Sequence, residues 1–93
     1  MKLKIIEYFW GVGRRTRRNA SYRMPLREGE VKEVDRLQFE IRRVEDGRVT
    51  VSLNRRDKTP IKEFTVEKGK AYYYRPMSMD GGVEYVVKLT KLF

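Results

Sequence analysis

The side chains with the most chemistry to offer are arginines. In the stretch GVGRRTRRNASYR, residues 11–23, Arg14, Arg15, Arg17, Arg18 and Arg23 fall within ten positions, directly behind Tyr8, Phe9 and Trp10. A guanidinium presents planar, forked donors that match phosphate or carboxylate oxygens, whereas lysine carries a more strongly hydrated point charge. Arginine outnumbers lysine thirteen to nine, a bias that solubility alone does not require. Single-strand nucleic-acid binders combine a basic groove with rings on which bases stack. The five arginines are therefore the candidate anion-binding residues, and nucleic acid is the first candidate among polyanions.

Charge is spread unevenly along the chain. The formal net charge is +9; residues 1–23 hold seven basic and one acidic residue, residues 24–68 eleven and ten, and residues 69–93 four and two. The middle reads as an ordinary mixed surface and the first quarter as a concentrated positive field. The competing account is a solvated loop between two strands. Like charges in RRTRR keep such a connection extended, and Glu28, Glu30, Glu33 and Asp35 are available to neutralise it from elsewhere in the chain.

Catalysis has little to work with. The chain has no cysteine and no histidine, so thiolates, disulfides and the side chain that titrates nearest neutrality are all missing. A zinc site of the usual kind, a Ser-His-Asp triad or a Cys-His pair cannot be assembled. Carboxylates at Asp46, Asp57, Glu63, Asp80 and Glu84 could in principle pair for acid/base work, but they read as turn or exposed residues among basic neighbours. GVG at residues 11–13 lacks the downstream helix and lysine of a phosphate loop. No recognition helix, GXXG clamp or RNA-recognition submotif is present. The expectation is a non-enzymatic binding module with no cofactor and no metal.

Strands must position these residues. Alternation of apolar and polar side chains recurs through most of the sequence and helical periodicity is nearly absent. Ala20, Tyr22, Met24 and Leu26 share one side of NASYRMPLR, and Pro25, which cannot donate to a ladder, marks an edge strand or its end. Leu37, Phe39 and Ile41 share a face, then the register breaks before Val44, which predicts a bulge near Arg42 and Arg43. Val49, Val51 and Leu53 continue after Asp46-Gly47, a favoured two-residue hairpin turn whose central residues both tolerate positive φ. IKEFTV, AYYYRP and VEYVVKLTKLF follow, the last with Val83, Tyr85, Val87 and Leu89 on one face and with MSMDGG as a wider turn before it. EGEVKEVDRL carries a weak hint of helix. LREGEV, VEDGRV and VEKGKA place glycines 29, 47 and 69 in similar settings, which tight turns select independently.

About eight short antiparallel strands in 93 residues predict a single all-β domain over 1–93, a small β-sandwich or, alternatively, a small closed or partly open barrel. A chain of this size buries roughly 60–65% of its unfolded surface in one core. The apolar run after Met1 is interrupted by Lys4 and Glu7 and lacks a small-residue cleavage site, so it does not read as a signal peptide. No stretch reaches the ~20 apolar residues of a membrane span, and the expected location is cytoplasmic.

Period two also sorts the aromatic residues. YYY sends Tyr72 and Tyr74 to one face and Tyr73, with Arg75, to the other, and YFW separates Phe9 from Tyr8 and Trp10. Tyr73, Arg75 and Phe9 are therefore the candidate stacking surface beside the arginines, weighed against the usual fate of large rings in small β-domains, which is the core. The alternative function is a protein-interaction or structural sandwich with no nucleic-acid role. It would use a strand edge near Pro25 or the apolar C-terminal residues ending at Phe93. Oligomeric state is not encoded in any of these patterns.

Overall fold

The computed structural model describes residues 1–11, 14–76 and 81–90, with side chains described throughout these except at positions 10, 11, 14–17, 19 and 81. It contains eight strands: β1 (Lys2–Gly11), β2 (Arg14–Pro25), β3 (Val31–Val34), β4 (Leu37–Glu45), β5 (Arg48–Arg55), β6 (Pro60–Glu67), β7 (Tyr72–Tyr74) and β8 (Gly81–Thr90). They form two antiparallel four-stranded sheets. Sheet A has the order β2-β1-β8-β7 and sheet B the order β3-β4-β5-β6. The sheets do not close on one another, so the architecture is the expected sandwich and not the barrel.

Alternation explains why the layers hold together. Leu3, Ile5, Met24, Tyr85 and Val87 of sheet A meet Val34, Phe39, Ile41, Val49, Val51, Leu53, Phe64 and Val66 of sheet B in one buried cluster. Phe39 and Tyr85 cross the gap edge to face at 5.8 Å. Phe64 lies flat against Tyr72 at 3.9 Å, tying edge strand β6 to edge strand β7. Aromatic pairs of this kind add about 0.5–1.5 kcal/mol beyond the area they bury. Lys62 closes this end from above, 5.6 Å from the centre of the Tyr72 ring, and its hydrogen bond to Tyr72 raises the ammonium above the usual lysine range.

The core holds a carboxylate as well. Glu7 is buried opposite Tyr85 in the β1–β8 ladder. Burial first, then the Glu7 charge and its hydrogen bond, push the Tyr85 hydroxyl well above the usual tyrosine range. The phenol therefore keeps its proton and serves as a donor to Glu7, which lowers the cost of burying a charge between the sheets.

Several local expectations are met and others corrected. The bulge falls at Arg42, between the pairs Ile41↔Val51 and Arg43↔Thr50, and Val44 returns to the core side. Pro25 ends β2, the outer strand of sheet A. The turn at Asp46-Gly47 joins Glu45 to Arg48, but only Gly47, at φ 78°, takes the left-handed conformation. The helix hinted at in EGEVKEVDRL does not form: Val34 pairs with Leu37 across a two-residue turn whose Asp35 sits at φ 57°, a conformation aspartate tolerates better than most residues. Pairing with β4 buries Val34, which a short charged helix could not have done. MSMDGG and the terminal residues through Phe93 fall largely or wholly outside the described residues.

Candidate nucleic-acid interface

Strand register decides what stands on the outside of sheet A. The pairs Lys4↔Arg23 and Lys4↔Lys88 set Arg23, Lys4 and Lys88 side by side on three neighbouring strands. The next row along the strands is Ser21, Ile6, Val86 and Tyr73, and the one after it Arg18, Tyr8 and Glu84. With strands about 4.8 Å apart, the three cations of the first row span only about 10 Å. Tyr73 is 58% exposed and lies diagonally across from Lys88, within the reach of long side chains.

Arg18 reaches this face through a bulge. Ala20, Tyr22 and Met24 point toward the core, so strict alternation would turn residue 18 inward too. Instead the ladder runs from Glu7↔Ala20 to Tyr8↔Arg18, leaving Asn19 without an opposite number and moving Arg18 to the outer, exposed side. A second shift leaves Thr16 unpaired between Phe9↔Arg17 and Trp10↔Arg15. Each bulge interrupts the alternation of faces along β2.

The electrostatics follow from the geometry. Partial burial, then the neighbouring charges of Arg23, Lys88 and Arg18, lower the Lys4 ammonium below the usual lysine range. Among the described residues none of Lys4, Arg18, Arg23 and Lys88 makes an ion pair. Three of the four carboxylates expected to neutralise them are engaged elsewhere. Glu28 accepts a hydrogen bond from the Val44 amide, Glu30 lies 3.9 Å from Arg27, and Glu33 lies 3.8 Å from Arg56.

The candidate residues are thus partly brought together. Arg23 and Arg18 share the face with Tyr73 and Arg75. The arginine stretch, expected as a loop, is strand from Arg14 onward, since its amides and carbonyls pair with β1. The side chains of Arg14, Arg15 and Arg17 lie outside the described residues. Arg75 is already committed, 3.0 Å from Glu84, a carboxylate that is 6% exposed and not the surface residue its surroundings in the sequence suggested. Phe9 pairs with Val83, which packs on the core, so its register belongs to the inner face and Tyr8 takes the outer position.

Lys4, Lys88 and Tyr8 are the residues that sequence reasoning passed over. Alternation within KLKIIEY already put Lys4, Ile6 and Tyr8 on one side, but nothing local announced that β8 and β2 would flank β1. No protein-family model matches the chain, and no curated protein or solved structure is found to resemble it.

Proposed function

We propose that the chain is a non-enzymatic binding module that takes a polyanion, nucleic acid foremost, on the outer face of sheet A. The observation that carries this reading is the row Arg23, Lys4 and Lys88, joined by Arg18, whose mutual repulsion lowers Lys4 and which no described carboxylate relieves. Phosphates supply that missing charge, and Tyr73 beside the row offers a face on which a base can stack. A strand-built face suits a single strand better than the major groove of a duplex, which admits a helix or a two-stranded ribbon.

Fluorescence anisotropy with single-stranded DNA, RNA and duplex DNA across a salt series tests it. If all four cations meet phosphates of a single strand, the slope of log K against log salt is about −2.8. Affinity then falls roughly 50-fold between about 50 and 200 mM salt. Replacing Lys4, Arg18, Arg23 and Lys88 together by glutamine should remove most of that slope. A variant that keeps the full slope ends the assignment to this face.

The second reading, a protein-interaction sandwich, draws on β2 as the outermost strand of sheet A, with a rim open to a further strand. Ser21→Pro would block such pairing while leaving Lys4, Arg18, Arg23 and Lys88 in place. Loss of a partner but not of polyanion binding would favour this alternative.

A further inference from the structure

The outer face of sheet B holds a groove of about 740 Å³, floored by Gln38, Ser52 and Asn54. These residues are polar, yet only 8%, 8% and 6% exposed. The register makes them a grid: Asn54 stands beside Gln38, and Ser52 stands between Glu40 and Glu63. The Ser52 hydroxyl donates to Asn54 Oδ1 at 2.8 Å, which orients the Asn54 amide. Among the described residues, the Gln38 side chain and the Asn54 NH₂ group have no hydrogen-bond partner. Buried amides in folded proteins are nearly always satisfied, so this floor is built to meet something that enters the groove.

The walls are also shaped rather than incidental. A register shift between Leu53↔Lys62 and Asn54↔Pro60 leaves Ile61 as an extra residue on β6, and such a bulge bends an edge strand. Pro60 and Ile61 form one apolar lip and Val31 the other. At the mouth Lys58 holds φ 73° in the turn after β5, an uncommon conformation for a residue with a side chain.

We propose that this groove binds a neutral, hydroxyl-rich ligand, a saccharide. The chemistry narrows the choice. Glu40 and Glu63 are two strand spacings apart, about 10 Å, too far to share a cation. With Glu40 paired to Arg42 and with Lys58 and Lys62 also on the lining, the groove mixes both signs of charge and singles out neither an anion nor a cation. Carboxylates need donors, an Asn or Gln NH₂ needs acceptors, and a hydroxyl supplies both at once. The planar amide and carboxylate ends each match a pair of adjacent hydroxyls, and the apolar lips accept the C–H edges of a sugar ring. An extended peptide offers one donor and one acceptor per residue on alternating sides and fits this dense grid less well. The volume lies within the range of small-ligand sites.

NMR titration of the full chain with glucose, galactose, N-acetylglucosamine and their disaccharides tests this independently of sheet A. The Gln38 and Asn54 side-chain amide signals should shift saturably with at least one sugar, with Kd roughly 0.1–10 mM. Gln38→Leu should weaken binding about tenfold or more without lowering the thermal midpoint, because an unpaired buried amide gives way to an apolar group. Asn54→Leu should weaken binding as much but also lower the midpoint, because the Ser52 hydroxyl loses its acceptor. A packing role for Gln38 predicts the opposite change in midpoint. Glu63→Gln, on an exposed edge strand, should weaken binding by a factor of about three and carries the test should a leucine variant misfold. Sugars that leave these amide signals unmoved, variants that bind as well as the parent, or a tripeptide that moves the same signals where sugars do not, would each overturn the proposal.

Discussion

The two outer faces of the sandwich handle charge in opposite ways. On the sheet B side, cations stand beside carboxylates: Arg42 with Glu40, Arg43 and Arg48 with Glu45, Arg56 with Glu33, and Lys70 with Glu67. On sheet A, Lys4, Arg18, Arg23 and Lys88 gather with no described counter-charge, and the buried Glu84 is given to Arg75. Exposed pairs of the first kind contribute little to stability, about 0–1 kcal/mol each. What they do is cancel the local field. Among the described residues, the cations of sheet B are therefore largely offset where they stand, while four on sheet A are left together.

The contrast requires a rigid layer between the faces, so the largest effect should come from breaking that layer. Phe39→Ala removes the ring that meets Tyr85 across the sheets and should cost about 3–5 kcal/mol in urea unfolding, weakening both faces together. If one face keeps its function while the other fails, the faces do not depend on a common core.

A smaller effect separates packing from contact within sheet A. Tyr73→Ala should cost about 1–3 kcal/mol of single-strand affinity through a lost base stack, more than it costs in urea unfolding. Lost stability with unchanged affinity would return the ring to a structural role.

Smaller still should be the consequence of unbalancing sheet B. Replacing Glu33, Glu40 and Glu45 by glutamine raises the net charge without touching sheet A. At about 0.15 M salt the screening length of about 8 Å is shorter than the thickness of the sandwich, so polyanion affinity should change less than about twofold. A gain comparable to the loss from the sheet A variant would show that net charge, not the cation row, drives binding.

The finest probe is pH. Lys4 is lowered in the folded chain by burial and by Arg23, Lys88 and Arg18, so below that lowered value the folded state carries a repulsive penalty the unfolded chain escapes. Lys4→Gln should raise the thermal midpoint slightly at neutral pH, and the gain should vanish as pH climbs toward the ordinary lysine range, where the native ammonium deprotonates. Bound phosphates should raise Lys4 again, visible as proton uptake on binding at alkaline pH. Tyr85 acts in the other direction: its raised value means stability declines once pH exceeds the ordinary tyrosine range of about 10, where only the unfolded phenol ionises.

Much of the fold was legible in the sequence because alternation is a local signal. The faces of β2, β4, β5 and β8 follow from period two, and the bulge at Arg42 from a single break in it. The site was legible only in outline. Arg18 and Arg23 stood out by type, but Phe9 was assigned to the outside where Tyr8 belongs, since period two divides a trio without saying which side faces the core. Glu84 looked exposed by its charge, yet a strand interior and Arg75 bury it. The groove on sheet B had no sequence signal at all, because Gln38, Ser52 and Asn54 are ordinary outward residues until β6 bends beside them.

The sequence by itself determined that this chain is all-β, that it lacks the side chains of thiol and imidazole chemistry, and that its first quarter is strongly basic. These depend on composition and on neighbours two residues apart. Only the tertiary structure decided that Lys88 lies beside Lys4, that Asn19 bulges to turn Arg18 outward, and that carboxylates gather on the opposite face. Those outcomes depend on which strands become neighbours, and strand order is set by burial of the whole core at once.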